Sequence, residues 1–196
     1  MSVVLGIRHA EVENPGGLVY GRLPGFHLSA AGREASRRLG ALLASAPIVA
    51  VYASPLERAR ETAEALAAPH GLEVRTDPRL VEWIGDEAWQ GRSWKDLIVS
   101  AEYRRVTGDP IANAPKDPLD RAGERVMAWA LEAESAHPDG VVLGVSHEAP
   151  LVAGYLWGRH GDFATYKAVN IPHLGGVRFL PGPPELVDPV DVLTRC

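Results

Sequence analysis

The sequence predicts an α/β protein, a three-layer α/β/α sandwich around a mostly parallel central sheet. Three observations lead there. Short apolar runs rich in β-branched residues recur at residues 3–7, 48–53 and 141–146. Stretches with helical periodicity fall between them, and that alternation builds a largely parallel sheet covered on both faces. The 196 residues suit one domain with its own core, and no linker or composition shift divides them.

Taken in order, the first run ends in Arg8-His9. A strand there delivers both side chains to its carboxyl edge, where open α/β sheets bind ligands. Residues 11–28 hold many glycines and prolines and read as a loop. From 29 to 46 the residues Ala31, Ala35, Leu39, Leu42 and Leu43 share one helical face, and Pro47 stops the helix. After the strand at 48–53, Ser54 is placed to cap a helix, Pro55 suits its first position, and Glu57 completes a capping box. That helix is expected to run to Ala68, ahead of Pro69-His70-Gly71.

A minor strand is expected at 72–76, a proline-bearing loop at 111–119 and a helix at 121–136. The run at 141–146 again ends in histidine, His147, before a helix at 150–159. A last strand falls at 176–180. The following stretch, 181–196, carries Pro181, Pro183, Pro184 and Pro189 and is expected to lie extended on the surface.

Bulk properties exclude several classes. A formal net charge of −5 argues against general nucleic-acid binding, which needs Lys and Arg to neutralise phosphates. Cys196 is the single cysteine, so neither an internal disulfide nor a zinc-type cysteine cluster is expected. No stretch approaches the roughly 18 apolar residues of a membrane helix, and no basic-then-apolar leader is evident. These readings give a cytoplasmic protein with no membrane requirement, and leave a homodimer open.

The chemistry-bearing residues converge on anions. A neutral imidazole at His9 is a competent nucleophile toward phosphorus, and Arg8 offers a planar fork of donors to phosphoryl oxygens. Arg58 lies in the first turn of the capped helix, where free N–H groups also favour anions. Each feature alone has a plainer reading. A histidine can end a strand as a polar residue satisfied by backbone, and helix arginines can pair with Glu57 and Glu61 in solvent.

Together, Arg8-His9, the Ser54-Pro55-Leu56-x-Arg58-Ala59 block and Ser146-His147 resemble the signature segments of the histidine phosphatase superfamily, in its phosphoglycerate mutase-like branch. Residues 21–32 resemble the loop-to-helix segment of that family. Leu80-Val81-Glu82, followed by Gly85, Trp89 and Gly91, resembles the segment carrying its proton donor, and Ala122-Gly123-Glu124 its small Gly-Glu element. The resemblance implies a phosphoglycerate mutase-like fold and a phosphomonoester hydrolase acting on a small phosphorylated metabolite. His9 would carry the phosphoryl group, and neither a metal nor a cofactor is implied. Arg8, Arg58, Asn14, Gly21 and a cationic His147 would bind phosphate, and Glu82 would serve as acid and base.

The sequence departs from the family pattern at three places. Ala10 replaces the glycine that usually follows the histidine, and Val12 replaces a hydroxyl residue. Asn14 stands one residue earlier than usual. Glu148 directly follows His147, the position of the proton donor in the acid-phosphatase branch, and is therefore a second candidate acid. Ala10 and Val12 are the grounds for an alternative, a phosphate-binding or regulatory protein with little turnover. A mutase is the lesser alternative, since no added covering segment is evident. Trp83, Trp89 and Trp94 cluster near the donor segment, either as packing or as a lining that stacks on substrate.

Overall fold

The computed structural model describes residues 2–114 and 116–194. Its center is a six-stranded sheet of β1 (Ser2–Arg8), β2 (Ile48–Ala53), β3 (Val74–Thr76), β4 (Gly140–Ser146), β5 (Gly176–Leu180) and β6 (Glu185–Val187), in the order β3-β2-β4-β1-β5-β6. The four strands β3, β2, β4 and β1 run parallel. The pairs β1–β5 and β5–β6 are antiparallel. The sheet is thus mixed, with its parallel part in the middle and on one flank.

Alternation along the strands assigns the two faces. Leu5, Ile7, Val51 and Leu143 pack with Leu39 of α1 (Ala30–Leu42), Leu43 just beyond its end, and Ala63 and Leu66 of α2 (Glu57–Ala67). Val4 and Val142 point the other way, against Val126, Trp129 and Leu151 from α5 (Leu119–Ala136) and α6 (Glu148–Gly158). Two short helices, α3 (Trp94–Leu97) and α4 (Ala101–Gly108), belong to a third cluster. There Leu97 and Val106 pack with Trp83, Trp89 and Leu119. Among the described residues no helix is long and apolar enough to cross a membrane.

Several boundaries differ from the sequence expectation. Ser29 caps α1 by accepting from the Gly32 N–H, but the helix closes at Leu42, short of Pro47. Ser54 does not cap α2. The helix starts at Glu57 behind Leu56, and the Ser54 hydroxyl lies 2.8 Å from His147 Nε2 instead. The carboxylate of Glu57 accepts from the Gly25 N–H, outside its own helix. The helix expected at 150–159 begins two residues earlier, directly behind His147.

The stretch after residue 180 is not merely extended. It forms β6 and then α7 (Pro189–Leu193), capped by Asp188, with Leu193 buried in the core beside α1 and α2. Cys196 lies outside the described residues.

Candidate active site

The register of the sheet brings the two histidines together. Arg8 on β1 pairs with Ser146 on β4, and the ladder continues with the His9 N–H donating to the Ser146 carbonyl at 2.9 Å. The next residue on each strand is a histidine, and their ring centroids lie 5.1 Å apart. On the other side of β4, β2 ends at the same edge, where the Ser54 N–H donates to the Val145 carbonyl. The first turn of α2 then aims Arg58 at the pair. His9, Arg58 and His147 are all buried.

Their hydrogen bonds fix roles for individual nitrogens. His9 Nδ1 lies 2.7 Å from the Ala10 carbonyl, so Nδ1 carries the proton and Nε2 keeps its lone pair. The Arg58 Nε–H donates to that Nε2 at 3.3 Å, while Nη2 donates to the Gly21 carbonyl at 2.7 Å. Gly21 has φ of +45°, and this left-handed turn presents its carbonyl to the guanidinium. The same guanidinium stacks 4.6 Å above the Tyr20 ring. Burial, then the nearby Arg58, holds the His9 pKa well below the usual histidine range, so the ring is neutral at neutral pH.

His147 caps the start of α6 and is neutral as well. Burial, followed by Arg58 and His9, depresses its pKa. This corrects the expectation of a cationic His147. With the Ser54 hydroxyl donating to Nε2, the proton sits on Nδ1, which lies 3.8 Å from Glu82 Oε2. Glu82 accepts from the Trp83 N–H at 2.8 Å, and Arg22 holds the Glu82 carbonyl through its Nε–H. Burial raises the Glu82 pKa to about 7, against the partial offset of Arg58.

Three buried donors around His9 have no hydrogen-bond partner among the described protein atoms. They are Arg8 Nε, Arg58 Nη1 and His147 Nδ1. An unpaired buried donor costs about 1–3 kcal/mol, so three in one place call for a ligand that accepts all of them. A cavity of about 460 Å³ opens beside His9, lined by Arg8, Gly21, Glu82 and Glu148 among others, while Arg58 and His147 reach this edge from outside its lining. The N-terminal turns of α2 and α6 point to the same edge, which adds positive potential.

The sequence candidates do not all arrive there. Glu148 lines the cavity, ion-paired with Arg8 at 3.0 Å in the first turn of α6. Asn14 is not in the lining. Its amide is spent within its own loop, donating to the Leu18 carbonyl and accepting from the Leu18 N–H. Ala10 has an ordinary negative φ, since His160 and Leu174 are the non-glycine residues with positive φ among those described. Its N–H donates to Thr62 Oγ1, so the missing glycine distorts nothing. Val12 forms an isolated bridge with Leu28, away from the cavity.

Two neighbours escaped the sequence reading. The ring of His173 lies 5.7 Å from His9, carried by the loop that enters β5. Tyr20 supports Arg58 from below. Nothing in the local sequence marks His173, because its approach depends on β5 running antiparallel to β1.

The model of the histidine phosphatase superfamily (branch 1) matches residues 4–180. The chain belongs to this superfamily. An uncharacterized protein of Mycobacterium tuberculosis is 50% identical over 162 residues, 78% of this chain and 77% of its own. Phosphoserine phosphatase 1 of Hydrogenobacter thermophilus is 28% identical over 180 residues, 84% of each chain. A phosphoserine phosphatase mutant from Entamoeba histolytica, solved with phosphoserine, superposes with a TM-score of 0.81 at 20% identity. That match covers 98% of this chain and all of the other, and it shows the shared fold. As a histidine phosphatase superfamily member, the chain is a phosphatase or mutase-type enzyme.

Proposed function

We propose that this protein hydrolyses phosphomonoesters of small metabolites through a phosphorylated His9. The observation that carries the reading is the set of three buried, unpartnered donors arranged about a neutral imidazole. A phosphoryl group set against His9 Nε2 offers three non-bridging oxygens to Arg8, Arg58 and His147. Their hydrogen bonds strengthen as charge builds on those oxygens in the transition state.

The reaction runs in two steps. His9 Nε2 forms a bond to phosphorus as the ester P–O bond breaks, and Glu82 passes its proton to the leaving oxygen. A carboxyl whose pKa is about 7 is protonated often enough near neutrality to do this. Glu82 then takes a proton from water as that water attacks the phosphohistidine and phosphate departs. The Glu148 side chain is 37% exposed beside Arg8, so solvent reaches this side of the pocket. That favours transfer to water over return to substrate. Glu148 stays in its ion pair with Arg8, which favours Glu82 as the acid.

The test is turnover of p-nitrophenyl phosphate without added metal, in the parent and in His9→Ala. Loss of at least 10³-fold in kcat is expected, with an acid-labile, base-stable phosphate trapped on the parent. Phosphate or vanadate binding with no turnover on any phosphomonoester would establish a binding protein instead.

A further inference from the structure

The cavity beside His9 has two unlike parts. The part around Arg8, Glu82 and Glu148 is charged. The remainder is dominated by five aromatic rings, Trp83, Trp89, Trp94, Tyr103 and Tyr166. They form a wall of two ring groups. Trp89 and Tyr103 lie 5.4 Å apart, Trp94 meets Tyr103 edge-on at 6.1 Å, and Trp83 meets Tyr166 edge-on at 5.8 Å.

The indole N–H groups are committed elsewhere. Trp83 Nε1–H donates to the Asp117 carbonyl at 2.6 Å, and Trp89 Nε1–H to Glu102 at 2.8 Å. Glu102 is held in turn by Arg92. Ring surface, not donors, is therefore what Trp83 and Trp89 contribute. Gly85 completes the construction. A Cβ there would lie 2.6 Å from the Trp89 ring, so only glycine lets that indole press against the backbone.

At the rim stand Trp94, 41% exposed, and the exposed Lys167. The Lys167 ammonium lies 4.3 Å above the Tyr103 ring and donates to Thr107 Oγ1. Among the described residues no carboxylate offsets its charge. The only carboxylates in the cavity lining are Glu82 and Glu148. Glu82 accepts from the Trp83 N–H through one oxygen, and Glu148 pairs with Arg8 through one oxygen, both on the charged side of the cavity.

From this wall we infer that the preferred leaving group is a flat, largely apolar ring system bearing an acidic or carbonyl acceptor that meets Lys167. The inference rests on the phosphatase reading and gives it a substrate class. The small alcohol released from phosphoserine leaves the ring faces uncovered, so it gains less from this wall than a planar ring does. A planar ring stacks on the indoles at little entropic cost, and pockets of about 300–1,000 Å³ accept ligands of that size.

The test compares 2-naphthylmethyl phosphate with O-phosphoserine. Both release primary alcohols, so the difference reports contact with the wall and not leaving-group chemistry. A kcat/KM ratio of at least tenfold in favour of the naphthylmethyl ester is expected. Trp94→Ala should pull that ratio down at least threefold, chiefly through KM. A 6-carboxy substituent on the naphthyl ring should improve kcat/KM further in the parent and not in Lys167→Met. Binding of 2-naphthylmethylphosphonate, read by quenching of tryptophan fluorescence, separates the two hypotheses. Tight binding of it without turnover of any ester would remove the hydrolytic reading and keep the aromatic site. Equal or better use of phosphoserine, or a ratio unmoved by Trp94→Ala, would overturn the inference.

Discussion

At the scale of single residues, Glu82 is the group whose environment makes the sharpest demand. Its pKa of about 7 and the depressed pKa of His9 act in opposite directions on the rate. Phosphoryl transfer needs His9 neutral, which holds at pH values above its lowered pKa. It needs Glu82 protonated, which fails as pH rises through about 7. The profile of kcat/KM, which reports the free enzyme, should therefore descend above pH 7. Glu82→Gln should lose about 10²–10⁴-fold in kcat for an alkyl phosphate and should abolish that descending limb. An unchanged limb in Glu82→Gln would assign the titration to another group. Arg8, His9 and His147 were legible in sequence as one edge because each follows a short apolar run, and strand ends are fixed by such runs. Asn14 and His173 were not. Where the first points is decided inside its own loop, and where the second arrives is decided by strand pairing far from it.

At the scale of elements, apolar periodicity was enough to find the parallel strands and the large helices, since their cores are built from those same residues. Signals that depend on partner choice were less readable. A serine before proline and three residues ahead of glutamate has the pattern of a cap, yet a histidine arriving from β4 claims the Ser54 hydroxyl. The prolines after residue 180 look like the end of ordered structure. Pro181, Pro183 and Pro184 sit in the turn between β5 and β6, outside both strands, and Pro189 opens α7 as a first-turn proline. The element is structural, because Leu193 is 2% exposed against the first sheet face. Leu193→Ala should lower stability by about 2–4 kcal/mol in urea unfolding, with the slope unchanged. A loss within about 0.5 kcal/mol would mean that α7 contributes little to the core.

At the scale of the whole molecule, the fold stabilises a site that is itself unfavourable without an anion. Arg58 is fully buried, and its guanidinium leaves Nη1 without a protein partner. Burial lowers its pKa, since keeping the charge from water disfavours the charged form. The surrounding β-sheet and the N-terminal turns of α2 and α6 hold the charge in place regardless. Binding of phosphate or vanadate should therefore stabilise the native state strongly. At a concentration of 100 Kd the gain is about 2.7 kcal/mol, or roughly 5–10 °C in Tm for a chain of this size. Arg58→Met keeps much of the side-chain volume and removes the buried charge. Without phosphate its Tm should stay close to that of the parent, since relief of the buried charge offsets the hydrogen bond lost at the Gly21 carbonyl. With phosphate, its Tm should barely move. A thermal-shift titration of both proteins reads these four values directly. A parent that does not respond to phosphate, or an Arg58→Met variant that keeps the full response, would show that the three free donors do not share one oxyanion.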